Sequence, residues 1–460
     1  MNPKIPSGCA GLDEILRGGI PANTITVLMG APGTGKTILA EQFAFANAAP
    51  DAPALYLTTL SEPLEKFIVH GQTHTYFDQT KVGTSIFYED LGLIVREQGI
   101  DQLAEIVTRL LLERRPRFLF IDSLKALLEL FQDRRSSRTA VYDLASVLSA
   151  YQCTTFLVGE YAENQLTELP EFAIADAVLQ MLKYSSNVRE ERFLRVEKLR
   201  GSGFVPGMHA LSITDDGIEV FPRLLTPATA PDYRARVERV KTGISGLDEL
   251  IAEGFWRGST TLVAGPTGAG KTIIGLHFLT AGAQMGDKGL YVGFQENPTQ
   301  LSRLMTTFGW DPEKLMNDGF ELIYTSPVEM KLDQIATQIL RRVKAGDTKR
   351  VVIDALGDLK RTSVDLQRFS DFIYAITQWF AARNITCLLM SELPLLFELH
   401  GISDEEVSNM SDNVILLQFK PEKELLRTLR IIKTRGSAHD ASAHELQITN
   451  KGVVVKPLRK

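Results

Sequence analysis

Apolar residues in this chain of 460 come in short uncharged runs, set between longer stretches where they recur at helical spacing. The first run is Thr24-Ile-Thr-Val-Leu-Met29, and Ala54 to Thr58, Phe118 to Ile121 and Thr155 to Val158 follow it. A run without polar alternation is what a parallel strand shows when helices cover both faces of its sheet. Strands separated by helical stretches therefore predict an α/β fold with a mostly parallel sheet flanked by helices.

The pattern occurs twice. Ser7-Gly8-x-x-Gly11-Leu12-Asp13-Glu14 returns as Thr242-Gly243-x-x-Gly246-Leu247-Asp248-Glu249, 235 residues later, and runs at Thr260 to Ala264, Gly289 to Phe294, Val351 to Ile353 and Thr386 to Met390 repeat the strands. Copies of about 220 residues are too long for solenoid units and too few for a propeller. They predict two whole domains, 1–222 and 240–460, joined by a linker at 223–239 where Pro227 and Pro231 disfavour regular structure.

Composition narrows the class without naming a function. Hydrophobic residues make 44% and charged residues 23%, as in ordinary globular domains, and the net charge of -6 is not that of a polyanion binder. Three cysteines are too few for a disulfide framework, and Cys153 and Cys387, in or beside equivalent strands, read as small core residues. No 18-residue apolar run is present, and Met1 to Ala10 has no signal-like core, so a cytoplasmic protein without a membrane span is expected.

The chemistry lies at the strand ends. Gly30-Ala-Pro-Gly33-Thr34-Gly35-Lys36-Thr37 and Gly265-Pro-Thr-Gly268-Ala269-Gly270-Lys271-Thr272 each follow the first strand of a copy. Such loops point backbone N–H groups at a β-phosphate, Lys reaches the β- and γ-oxygens, and the Thr hydroxyl coordinates Mg²⁺. Asp122 and Asp354, each closing an apolar strand, are the expected carboxylates for that ion. The copies then diverge. After the second strand one reads Tyr291-Val-Gly-Phe-Gln295-Glu296, the other Tyr56-Leu-Thr-Thr-Leu60-Ser61-Glu62. Glu296 is the candidate general base of the second copy, with Gln295 beside it, and Glu62, one step out of register, is the candidate of the first. Lys198-Leu-Arg200-Gly201 and Lys433-Thr-Arg435-Gly436 close the motif set, and strand alternation puts both cations of each pair on one face. A pair of solvated charges at a hairpin is the alternative reading.

Together the opening Gly-x-x-Gly-Leu-Asp, the paired phosphate loops, the strand-end Asp and the Lys-x-Arg-Gly run resemble the KaiC family of RecA-like ATPases over essentially the whole length. The resemblance implies two tandem RecA-like P-loop domains, a homo-hexameric double ring, and ATP with Mg²⁺ at subunit interfaces. It also implies that Lys198, Arg200, Lys433 and Arg435 reach the γ-phosphate of a neighbouring subunit's ATP. In the family's namesake the second domain phosphorylates itself on adjacent Ser and Thr. Here that pair falls on Ser408 and Asn409, which leaves Ser408 as the candidate phosphosite. The family's tandem glutamates are Leu60-Ser61 and Gln295-Glu296, which puts fast hydrolysis by the first domain in doubt.

The expected function is thus an ATP-hydrolysing ring ATPase, with serine/threonine autokinase activity at Ser408 as its finer form and an unidentified regulatory protein as partner. A RecA-like nucleic-acid-dependent ATPase is the first alternative. It is disfavoured because Glu160 to Ala177 carries five acidic and no basic residues, and Glu392 to Asp412 six acidic and no basic. An ATP-dependent assembly scaffold with little turnover is the second. His439 and His444 are expected at the surface, not in a metal cluster.

Overall fold

The computed structural model describes residues 3–59, 64–185, 190–227, 237–328, 330–363, 365–393, 405–421 and 425–458. The chain forms two compact units, 1–223 and 224–460, each built around one nine-stranded sheet.

In the first unit the strands are β1 (Ile25–Gly30), β2 (Ala54–Thr58), β3 (Ile86–Asp90), β4 (Phe118–Asp122), β5 (Thr154–Gly159), β6 (Ala177–Ser185), β7 (Glu190–Leu199), β8 (Met208–Thr214) and β9 (Gly217–Phe221). Their spatial order is β3-β2-β4-β5-β1-β6-β7-β8-β9. The first six are parallel, and β6 to β9 continue the sheet as antiparallel strands. The second unit repeats this as β10 (Thr260–Gly265), β11 (Gly289–Gly293), β12 (Phe320–Tyr324), β13 (Arg350–Asp354), β14 (Thr386–Glu392), β15 (Asn413–Pro421), β16 (Leu425–Thr434), β17 (His444–Thr449) and β18 (Gly452–Pro457). The order is the same, so each strand corresponds to the one nine places earlier.

The apolar runs are the strands buried on both faces. Val27 and Met29 belong to one cluster of side chains and Leu28 to another, as alternation along a covered strand requires. In the second unit Val263 faces one cluster while Leu262 and Ala264 face the other. Cys9, Cys153 and Cys387 are buried thiols, and desolvation pushes all three above the ordinary thiol range. That is the behaviour of packed core residues, not of reactive ones.

The opening motif proves to be a clasp. Asp13 Oδ1 accepts the backbone N–H of Ser7 at 2.7 Å, and Asp248 Oδ1 accepts that of Thr242 at 2.8 Å. The second glycine of each motif crosses the last strand of its sheet: a Cβ on Gly11 would lie 1.7 Å from the Val220 carbonyl oxygen, and one on Gly246 2.1 Å from that of Val455. No other residue fits where two backbones approach so closely.

The segment 223–239 is irregular over 223–227, and 228–236 lies outside the described residues. One surface expectation fails. His444 is buried at 7% exposure, its Nδ1 against the Ser442 carbonyl at 3.1 Å, because β17 lies inside the antiparallel part of the sheet. Among the described residues no group of His, Cys, Asp and Glu has a metal-binding arrangement, and no helix is long and apolar enough to cross a membrane.

Candidate nucleotide sites

Each phosphate loop joins a central strand to a buried helix: β1 to α1 (Lys36–Asn47) and β10 to α2 (Lys271–Gln284). Gly35 and Gly270 occupy the N-cap positions with φ of 97° and 104°. This left-handed geometry turns the chain from loop to helix and favours glycine. The helix starts are thereby aimed along the loop, where their N–H groups and dipole favour an anion. In the first unit Gly33, Gly35, Lys36, Thr37, Asp122 and Glu160 are among the residues lining a cavity of 570 Å³.

Lys36, 7% exposed, donates to the Ala31 carbonyl at 2.9 Å, and Lys271 to those of Gly265 and Pro266 at 2.8 and 2.9 Å. Burial lowers the pKa of both amines, while nearby carboxylates, Glu160 and Asp122 for Lys36 and chiefly Asp354 for Lys271, pull the other way. Phosphate oxygens entering the loop would offer these desolvated cations stronger acceptors than neutral carbonyls. The non-glycine members behave differently: Thr34 is fully buried with its hydroxyl turned back on the Ala31 carbonyl at 2.9 Å, and Ala269 is buried at 1%. Both contribute loop backbone, not side chains.

The threonine and aspartate expected from sequence to hold Mg²⁺ lie side by side in both units. Thr37 Oγ1 donates to Asp122 Oδ2 at 2.8 Å, and Thr272 Oγ1 to Asp354 Oδ2 at 2.7 Å. A hydroxyl and a carboxylate oxygen converging beside a phosphate loop form the hard-oxygen donor set that Mg²⁺ takes, so these residues fit the ion. A third member was missed. Tyr56 Oη donates to the same oxygen of Asp122 at 3.1 Å, and Tyr291 Oη to that of Asp354 at 2.9 Å. These tyrosines come from the neighbouring strands β2 and β11 and are fully buried. Each is a lever that fixes the carboxylate's direction. Their equal spacing of 235 residues was the available signal.

The same spacing relates Arg192 and Arg427, also missed. Arg192 Nε donates to the Gly33 carbonyl and Arg427 Nε to the Gly268 carbonyl, each at 3.1 Å. Antiparallel β7 and β16 thus supply an arginine that holds their own domain's phosphate loop.

The second site carries a half-buried carboxylate, Glu296, just past β11. Desolvation, then the charge of Asp354, raises its pKa above the ordinary carboxylate value, and Lys271 opposes this only weakly. Asp354 is raised as well, first by burial. Beside them Gln295 Nε2 donates to Asp358 Oδ2 at 3.0 Å. Sequence reading gave Asp358 no role. Leu60, Ser61 and Glu62, the corresponding stretch of the first copy, lie outside the described residues.

Lys198, Arg200, Lys433 and Arg435 do not join the phosphate loops of their own units. Strand register explains why. Leu199 pairs with Ala177 and Ala177 with Thr26, level with the start of β1, while the phosphate loop leaves from its end at Gly30. Four residues at about 3.3 Å each put the two ends roughly 13 Å apart. Thr434 pairs with Asn413 and Asn413 with Thr261 in the same way. Lys198 Nζ instead donates to the Phe172 and Ala173 carbonyls at 3.1 and 3.4 Å, on α3 (Pro170–Ile174). Lys433 Nζ donates to the Ser408 and Ser411 carbonyls at 3.0 and 2.7 Å, and Arg435 to that of Asn409 at 2.8 Å. Ser408 is half-buried on a helix spanning Glu405–Met410. Burial and the like charge of the adjacent arginine lower the pKa of both lysines, as two cations on one face should.

The family model for the KaiC ATPase matches residues 5–224 and again 240–460. Among curated proteins the chain is 28% identical to the circadian clock oscillator protein KaiC of Acaryochloris marina, over 98% of this chain and 88% of that one. It is 27% identical to KaiC 1 of Synechocystis, with the same coverage, and 27% identical to KaiC of Parathermosynechococcus lividus, over 99% of this chain and 85% of that protein. With two nine-stranded sheets that each present a phosphate loop at a strand end and are matched in turn by one family model, the chain belongs to the KaiC family of ATPases.

Proposed function

We propose that this protein is an ATP-hydrolysing ring ATPase in which the second site carries most of the turnover. The observation that carries this reading is Glu296, a half-buried carboxylate with a raised pKa, next to Asp354 and within the field of Lys271. A carboxylate of raised basicity is suited to take a proton from an attacking hydroxyl. Lys271, the loop N–H groups and the start of α2 would bind the phosphates, and Arg427 steadies the loop. Thr272 and Asp354 would hold Mg²⁺, with Tyr291 fixing the carboxylate. Bound there, the ion would neutralise charge on the β- and γ-oxygens. The first site has the corresponding binding parts in Lys36, Thr37, Asp122, Tyr56 and Arg192, and we assign it ATP-dependent assembly with slow turnover.

The strand register supports action of Lys198 with Arg200, and Lys433 with Arg435, on a nucleotide held by a neighbouring subunit, because each pair sits at the far end of its own sheet. A homo-hexamer with ATP at subunit interfaces follows the family resemblance, in a cytoplasmic protein with domains 1–222 and 240–460 joined by a linker at 223–239. Ser408, whose carbonyl is held by Lys433, is the candidate autophosphorylation site of this arrangement. A regulatory partner protein would read the result. No observation favours nucleic acid; the acidic stretch 160–177 argues against it, while most of the other, 394–404, lies outside the described residues.

The deciding experiment incubates purified protein with Mg²⁺ and ATP labelled on the γ-phosphate, and counts free phosphate and protein-bound label together. Free phosphate that vanishes in Lys271→Ala, and falls in Lys36→Ala only in proportion to lost assembly, supports the assignment. Undiminished turnover in the double variant would sink it. Label that stays on the protein and is lost in Ser408→Ala would add the autokinase step.

A further inference from the structure

Two positions in the second site change together relative to the first. Four residues past the magnesium aspartate, the first copy has Ala126 after Asp122 and the second has Asp358 after Asp354. Four residues past the β2 or β11 tyrosine, the first copy has Leu60 and the second Gln295. The copy with the amide has the carboxylate, and the copy without one lacks the other. In the second copy the two side chains are bonded, Gln295 Nε2 to Asp358 Oδ2 at 3.0 Å, although 63 positions separate them.

Asp358 is 1% exposed, an unusual place for a carboxylate. A side chain that serves only the helix start would not need burial, and the same turn of the first copy forms with alanine. Its other oxygen, Oδ1, is held by Arg361 one turn along α4 (Leu356–Arg361), which compensates the charge and fixes the rotamer. What remains is a rigid acceptor facing Gln295.

A glutamine amide has one donating and one accepting end, and which end faces a site is set by its partner. An ionised carboxylate only accepts, so Asp358 holds the nitrogen of Gln295 and leaves its carbonyl oxygen as the acceptor. Glutamines that orient the attacking water in nucleotide hydrolases act through such an oriented amide. We infer that Asp358 is a positioning residue for the second site, acting through Gln295 to present the amide oxygen to the nucleophile whose proton Glu296 takes. Gln295 accepts a hydrogen bond and no proton moves onto it; Glu296 receives a proton of the attacking water as its oxygen bonds to the γ-phosphorus, the bond from that phosphorus to the β–γ bridging oxygen breaks, and ADP leaves with the bridging oxygen's electron pair. This rests on the proposed hydrolytic second site and adds to it a reason why glutamine there can stand in for a carboxylate.

The test is a double-mutant cycle on the otherwise unaltered full chain, reading kcat and KM for ATP from the released phosphate that Lys271→Ala abolishes. Asp358→Ala is expected to lower kcat about tenfold with KM changed less than twofold, and Gln295→Ala to do the same. The double variant should fall no further than either single one. Asp358→Asn, whose side-chain oxygen can still accept from Gln295, should recover at least half of the lost rate. If Asp358→Ala leaves kcat intact, or lowers it equally with and without Gln295, the inference is overturned. Loss of thermal stability with no kcat effect would likewise overturn it, since that is the signature of a helix-start role. Should the alanine variant not fold, the cycle with Asp358→Asn reads the same coupling at smaller amplitude. An unaltered chain with no phosphate release that Lys271→Ala abolishes sinks the hydrolytic reading itself, and is told apart because no second-site rate remains for any variant to lower.

Discussion

The two nucleotide sites of this chain share their binding parts and differ in the groups that would act on what is bound. Both have a glycine-capped helix start, a desolvated lysine, a threonine–aspartate–tyrosine cluster and an arginine clamped to the loop. Only the second adds Gln295, Glu296 and Asp358, where the first has Leu60, Ser61 and Ala126. Binding and chemistry are thus separable in one fold. The loop and its helix depend on a short stretch of backbone, whereas the reacting groups come from the ends of other strands and can be lost without disturbing it.

Substitutions can break this comparison. The largest effect is expected from Lys271→Ala, which should lower phosphate release by at least about 100-fold at a site that depends on one cation for the transferred phosphate. Lys36→Ala should cost less, and only through weaker assembly, so that release per assembled ring stays near that of the parent. Equal losses would mean that the copies contribute alike.

Next comes Glu296→Gln, expected to lower kcat roughly 100-fold, within the usual range for losing a general base. It should also alter the pH profile. The base works ionised, and burial raises its pKa, so the wild-type rate falls with decreasing pH already above the ordinary carboxylate range. The variant should lose that acid limb. A limb unchanged in Glu296→Gln would assign it to another group.

Tyr291→Phe sharpens the comparison at the ion. One hydrogen bond to a charged acceptor contributes about 1.5 to 3 kcal/mol, so the Mg²⁺ concentration for half-maximal turnover should rise about tenfold, with the maximal rate restored at high Mg²⁺. Tyr56→Phe should leave that requirement unchanged while weakening ATP-dependent assembly. Titrations of rate and of sedimentation against Mg²⁺ would check both.

The smallest effect concerns a structural difference. In the first unit Gln42 Oε1 accepts the Ile218 backbone N–H at 2.8 Å; in the second, His277 Nε2 accepts that of Val453 at 2.8 Å. Burial lowers the His277 pKa to about 4. The folded state therefore binds fewer protons than the unfolded one between pH 6.5 and about 4. His277 gives its full contribution above pH 6.5 and loses it as the pH falls through that window. His277→Gln, which copies the first unit, should flatten this dependence and shift Tm by only a few degrees, measured by melting curves across that range.

Much of this was readable along the chain, for a local reason. Each phosphate-loop motif is eight consecutive residues between a strand and a helix, and Asp122 and Asp354 each end an apolar run, so sequence neighbours carry the signal. Tyr56, Tyr291, Arg192 and Arg427 escaped because each acts across the sheet on another strand's residues, and in isolation a strand tyrosine or arginine is unremarked. His444 was misplaced because its cover comes from the strands on either side of β17, not from its own pattern.

By itself, the sequence determined that there are two copies, that each is a strand-and-helix sheet, and where its phosphate-loop motif and strand-end aspartate lie, since local backbone preference and apolar periodicity are properties of neighbouring residues. The tertiary structure alone decided which side chains meet: that a tyrosine steers each aspartate, that Asp358 holds Gln295, and that the Lys-x-Arg pairs stand at the end of the sheet away from their own loops. Strand order and register set those meetings, and both arise from pairing between segments dozens of residues apart, where hydrogen bonds and burial act on distance in space and not on distance along the chain.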